Sequence, residues 1–90
     1  MPRDVTNQDE AEIVALHALG WLLSDDTRRE RFQALTGLDA ATIRARAGSR
    51  ELLAATLAHL AAYEPDLIAC ADALDVTPTA IAQSLALLEE

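Results

Sequence analysis

The sequence predicts an all-α protein, a compact domain of six helices. Hydrophobic residues make up 51% of the 90 residues, and 19 alanines and 15 leucines dominate this fraction. Both residue types favour helix, and no alternating run of β-branched residues competes for strand. Signals that end one helix and begin the next recur at short intervals along the chain. A single domain is expected at this length, covering residues 7–90.

The first helix is predicted over residues 8–23, after a flexible leader of residues 1–6. Asn7 and Glu10 have the spacing of a capping box, with an acidic first turn suited to a helix N-terminus. Apolar residues cover most of the helix circumference: Ile13, Val14, Leu16, Leu19, Trp21, Leu22 and Leu23. This distribution is typical of a central, buried helix.

Three residues of this helix carry specific expectations. Glycine in a helix interior costs roughly 0.5–1 kcal/mol relative to alanine, so Gly20 is interpreted as a point of close helix contact. Trp21 is expected to be a core anchor rather than an exposed contact for a partner. His17 is expected to be packed or half-buried.

The remaining helices are predicted from caps, turns and apolar spacing, at about residues 26–36, 39–47, 50–62, 65–74 and 78–89. Asp39 and Ser49 are the expected caps of the third and fourth helices. Thr77-Pro78 begins the sixth, because proline fits the first helical turn. Gly37 is placed at a left-handed stop. In the second helix, Phe32 and Leu35 are predicted to face inward.

The two halves of the chain have similar layouts. A shift of 38 residues aligns similar residues, which indicates two pseudo-repeated three-helix units with helix-turn-helix-like turns; duplication and chance similarity both remain open. Residues 67–85 have the spacing of a DNA-reading helix-turn-helix. However, seven carboxylates and no Lys or Arg follow Arg50. Such a surface repels phosphate, so the motif is interpreted as architecture.

Residues 28–50 differ in charge from the rest, with six arginines against two carboxylates, a local balance of +4. Four of these arginines are candidate partner-binding residues: Arg28, Arg31, Arg44 and Arg46. Arginine binds carboxylate and phosphate groups through its planar fork of donors. The alternative is a solvated surface, with each arginine paired to a nearby carboxylate or helix C-terminus. The net charge of −8 disfavours binding to nucleic acid, so the expected partner is an acidic protein or a second copy of the chain.

No motif indicates an enzyme, and no catalytic, cofactor or metal site is predicted. His17 and His59 each lack the i, i+4 partner of a metal-binding helix. Cys70 is interpreted as a small core residue, and a Cys70–His59 nucleophilic pair requires the fold to bring the two together. The lone cysteine, the absence of a signal-peptide core and the absence of an apolar run of about 20 residues together predict a cytoplasmic protein without membrane contact.

Two long segments resemble a small bacterial family catalogued as domain of unknown function 3572. They are EIVALHALGWLLSDDTRRERFQALTGLD (residues 12–39) and SRELLAATLAHLAAYEPDLIACADALDVTP (residues 49–78). The resemblance covers about residues 10–88 and supports the fold and size. It implies no activity and no functional residue. The expected function is therefore a non-enzymatic protein-interaction or adaptor domain; the alternative is a nucleic-acid-binding regulator that uses residues 28–50.

Overall fold

Six α-helices form the protein in the computed structural model, which describes residues 5–90. They are α1 (Gln8–Leu23), α2 (Asp26–Thr36), α3 (Ala40–Ala45), α4 (Arg50–Ala61), α5 (Glu64–Leu74) and α6 (Pro78–Leu88). No strand occurs within residues 5–90. The predicted all-α class and the number of helices are confirmed. In the same described segment, no helix is long and apolar enough to cross a bilayer.

Side-chain caps begin five of the six helices. At α1, Asn7 Oδ1 accepts a hydrogen bond from the Glu10 N–H at 2.8 Å. Glu10 reaches back to the side-chain amide of Asn7, at 3.0 Å, rather than to its backbone N–H. At α3, Asp39 accepts from the Thr42 N–H at 2.7 Å, and this hydrogen bond holds the pKa of Asp39 below its usual range. Each such cap contributes about 1 kcal/mol.

Two helices end at a left-handed residue. Gly37 ends α2 with φ 74°, as predicted, and Asp75 ends α5 with φ 58°. The Val76 N–H then donates to the Ala71 carbonyl at 2.9 Å, which closes the turn before α6. The two left-handed residues are separated by the 38-residue shift found in the sequence. The third helix of each half differs, since α3 has 6 residues and α6 has 11.

The core is organised around α1, which packs mainly against α6 and α4 and also contacts α2 and α5. Its buried face is lined by three fully buried alanines, Ala11, Ala15 and Ala18, together with Leu19 and Leu22. Small side chains at a helix contact allow the two helix axes to approach closely. The alanine-rich composition therefore has a direct structural use at the centre of the fold.

Several expectations for α1 and α2 are wrong. Leu35 was predicted to face inward but is 71% exposed, because α2 lies at the periphery and fully buries Phe32 alone. Ile13, Leu16, His17 and Gly20 form one exposed face of α1, so this helix is not buried all round. A Cβ atom added at Gly20 would meet nothing within 4 Å, and Gly20 therefore marks no close helix contact.

The segment predicted as a flexible leader falls partly outside the described residues, which exclude 1–4. Val5, however, is only 8% exposed, and its N–H donates to Gln83 Oε1 at 3.2 Å. Gln8 Nε2 also donates to the Leu87 carbonyl at 3.2 Å. Val5 therefore belongs to the core, and hydrogen bonds join the start of the described chain to α6.

Candidate functional site

A cleft of about 500 Å³ opens between α1, α2 and α3 and is named here the α1–α3 cleft. It is lined by Leu19, Leu23, Arg29, Gln33, Ala40, Ile43, Arg44 and Ala47. Its volume lies within the range of about 300–1,000 Å³ that is usual for ligand sites. The cleft combines two arginines with a mainly apolar lining, which makes it a candidate site for a partner.

The lining of the α1–α3 cleft is mainly apolar. Leu19 and Ile43 are buried and belong to the hydrophobic core, which makes the floor continuous with the interior. Leu23 and Ala47 are half-buried and pack against the same core, whereas Ala40 is exposed. A partner side chain placed here would gain hydrophobic contact with a surface that the core holds in position.

Three polar side chains line the cleft with these apolar residues. Arg29 donates to Asp26 Oδ1 at 2.7 Å and to the Leu23 carbonyl at 3.4 Å. Asp26 is largely exposed, and such a surface pair contributes little to stability, at most about 1 kcal/mol. Arg44 is exposed and makes no salt bridge or side-chain hydrogen bond with any of residues 5–90. Among the arginines within residues 5–90, Arg44 is therefore the most available to an external carboxylate.

The other three predicted partner-binding arginines contact the protein itself. The Arg28 guanidinium lies 3.7 Å from the ring centroid of Trp21, which is half-buried and packs against the core. Arg31 Nη1 donates to Asp66 Oδ2 at 3.1 Å and links α2 to α5. Arg46 Nη2 donates to Glu51 Oε2 at 2.8 Å.

The structure therefore places Arg44 at the cleft and brings Arg29 to it from another helix. Arg29 was not among the four candidates. It is four residues before Gln33, so the two occupy one face of α2, and that spacing was visible in the sequence. The sequence did not show which face of α2 would lie toward α3.

A second cleft, of about 390 Å³, is lined by Arg31, Leu35, His59, Ala62 and Tyr63. The His59 ring packs edge-to-face on Phe32, with 5.1 Å between ring centroids. His59 Nε2 is buried and has no hydrogen-bond partner among residues 5–90. Burial lowers the pKa of His59 below its ordinary 6.5; nearby Asp66 acts in the opposite direction and Arg31 in the same one.

This lowered pKa predicts a pH-dependent stability. As the pH falls through about 6.5, the unfolded chain binds a proton at His59 that the folded chain resists. The free energy of unfolding should therefore decrease between pH 7.5 and 5.5, a loss that continues until the pH reaches the lower pKa of the folded state. Urea unfolding at a series of pH values measures this.

Two variants separate the effect of His59 from that of other groups. His59→Gln removes the titrating ring and should flatten the dependence over this interval. His17→Gln changes an exposed residue and leaves His59 intact, so it should preserve the slope. The same slope in His59→Gln as in the wild type would contradict the prediction.

Cys70 is a buried free cysteine on α5. Burial raises the pKa of its thiol to about 11. At neutral pH the group is therefore a thiol and a poor nucleophile, which argues against the Cys70–His59 pair considered from the sequence. Within residues 5–90, no group of three or more His, Cys, Asp and Glu side chains is arranged to hold a metal ion.

Comparison with known proteins returned a family and no individual relative. The family model described as "Protein of unknown function (DUF3572)" matches residues 8–90. This confirms the resemblance found in the sequence over about residues 10–88. No curated protein and no solved structure matches the chain.

Proposed function

The chain belongs to the family of proteins of unknown function DUF3572, and we propose that it is a non-enzymatic, cytoplasmic protein-interaction domain. Its docking surface is the α1–α3 cleft, and its partner presents acidic side chains to Arg44 and Arg29. The proposal rests on one observation: Arg44, a cation without a partner among residues 5–90, lines a cleft whose floor is part of the hydrophobic core.

The charge distribution supports an acidic partner at this place. The protein carries a net charge of −8, so most of its surface repels an acidic protein. At the α1–α3 cleft, the two arginines reverse this repulsion and attract acidic side chains. Such local complementarity orients the partner during association more than it adds to the affinity.

A protein partner is favoured over nucleic acid. Binding to a duplex draws most of its affinity from several phosphate contacts. Within residues 28–50, the segment used in that alternative, α3 has only 6 residues, and Arg46 beyond it is paired with Glu51.

Site-specific photocrosslinking in cells tests the proposal. A photoreactive amino acid at Gln33, inside the cleft, is expected to capture a defined partner protein. The same amino acid at Ala82, exposed on α6, serves as the matched position outside the cleft. Capture at both positions alike, or at neither, would contradict the assignment of the cleft.

Charge reversal supplies the second control. Arg44→Glu should abolish the crosslink from Gln33, because the carboxylates of the partner would then be repelled. Arg46→Glu changes an exposed arginine two residues away that does not line the cleft, and should preserve the crosslink. An unchanged crosslink in Arg44→Glu argues against electrostatic docking at this cleft.

A further inference from the structure

We propose that the partner segment occupying the α1–α3 cleft is an amphipathic α-helix with carboxylates beside its apolar stripe. The inference rests on the proposed function and adds to it the conformation and the residue pattern of the ligand. Three features of the cleft lead to it: the spacing of the lining residues, the character of the floor and the placement of the two arginines.

The lining residues form rows with helical spacing. Leu19 and Leu23 are four apart on α1, and Arg29 and Gln33 are four apart on α2. On the third wall the same spacing joins Ala40 to Arg44 within α3, while Ile43 lies on the same helix and Ala47 in the turn that follows it. Side chains four apart lie one above another and form a ridge along a helix. The space between such ridges has the shape that accepts the ridge of another helix.

Other modes of peptide recognition fit this cleft poorly. An extended segment that adds to a sheet needs a strand edge, and residues 5–90 contain no strand. Polyproline ligands dock on aromatic-lined grooves, whereas the lining of this cleft contains no aromatic residue. A helix-in-groove mode is the one that the lining residues match.

The apolar floor gives an independent reason. Leu19, Leu23 and Ile43 have no side-chain donor or acceptor for the backbone of a ligand. An extended segment would bury unpaired peptide groups against them, which is costly. A helix satisfies its own peptide groups and presents only side chains to the floor.

The two arginines specify where the acidic residues of the ligand lie. Arg29 belongs to the α2 wall and Arg44 to the α3 wall, so a helix between them meets a cation on each flank. A carboxylate on either side of its apolar stripe would be paired. Arg44 should contribute more, since Arg29 is already bonded to Asp26.

Titration of the isotopically labelled protein with designed peptides tests the inference. The probe is a stapled peptide of about 15 residues, long enough to be helical, with leucines at i, i+4 spacing and glutamates on both flanks. It is expected to shift the amide resonances of Gln33, Ala40 and Ala47. Those of Ala58 and Ala82, which lie outside the cleft, should stay in place.

Two peptides of matched composition isolate helicity and pattern. In the first, a proline at the end of the peptide changes places with a central residue, so that it breaks the helix. In the second, the leucines are distributed around the helix instead of along one stripe. Each should bind at least about tenfold more weakly. Against the Arg44→Glu protein the acidic helix should lose binding, and a peptide with lysine for glutamate should gain it.

Three results would overturn the inference. They are equal binding of the proline-broken peptide, no cleft shift with the stapled acidic peptide at millimolar concentration, and cleft shifts that depend on protein concentration without peptide. The last result would assign the cleft to a second copy of the chain. If crosslinking from Gln33 still captures a partner, only the helical ligand fails; if that crosslink also fails, the proposed function fails with it.

Discussion

Replacing Phe32 by alanine is expected to lower the free energy of unfolding by about 3–5 kcal/mol. The side chain is fully buried, and it is the largest such side chain among residues 5–90. Its ring also contacts His59 edge-to-face, so the substitution leaves a cavity where α2 meets α4. Domains of this kind have a total stability of about 5–15 kcal/mol, so one change would remove a large part of it.

Leu35→Ala is the matched control for this prediction. Leu35 lies three residues further along α2 and is 71% exposed, so its truncation should change the stability by less than about 0.5 kcal/mol. Urea unfolding followed by circular dichroism measures both variants. Similar losses for the two substitutions would contradict the difference in burial between Phe32 and Leu35.

Replacing Ala15 by leucine is expected to destabilise the protein by about 1–3 kcal/mol, although leucine is more hydrophobic and a good helix former. Ala15 is fully buried in the middle of α1, the helix against which α4 and α6 both pack. A larger side chain there has to push neighbouring side chains off their preferred rotamers or move helix axes apart.

Ala58→Leu on α4 makes the same chemical change at an exposed position. Its effect should stay within about 0.5 kcal/mol of zero. The midpoint of thermal unfolding, measured for both variants and the wild type, distinguishes them. A stabilised Ala15→Leu protein would show that the core around α1 has unfilled space.

Most of what could be predicted from the sequence depends on neighbouring residues. The caps at Asn7, Asp39, Ser49 and Thr77 act within three residues, and the left-handed stop at Gly37 depends on the glycine itself. These features locate helix boundaries without knowledge of the tertiary fold. For this reason the six helices and their approximate limits could be predicted from the sequence.

The exposure of certain apolar residues could not be predicted from the sequence in the same way. Apolar spacing on α1 suggested burial on all sides, yet Ile13 and Leu16 are 54% and 44% exposed. On α2, Phe32 and Leu35 share a face by sequence, and only the first is buried. Which side of a helix is covered depends on where its neighbours pack, and local periodicity contains no information on that.

The candidate site shows the same limit. The sequence located a cationic segment, but the partners of its arginines are set by tertiary packing. Arg31 pairs with Asp66, 35 residues away in the sequence, while Arg29 of α2 and Arg44 of α3 line one cleft. Counting charges along the sequence therefore could not distinguish the arginines that bind other groups of the protein from Arg44, which is available to a partner.

Hydrogen bonds join the start of the described chain to α6, and this has a consequence for how the protein folds during synthesis. The hydrogen bonds that join Val5 to Gln83 and Gln8 to Leu87 span 78 and 79 residues. Helix α1 is synthesised before α6, one of its main packing partners. Because long-range contacts must wait for the distant segment, the core cannot close until α6 has left the ribosome. Until then the nascent chain carries the apolar face of α1 incompletely covered, which makes it a candidate client for chaperones.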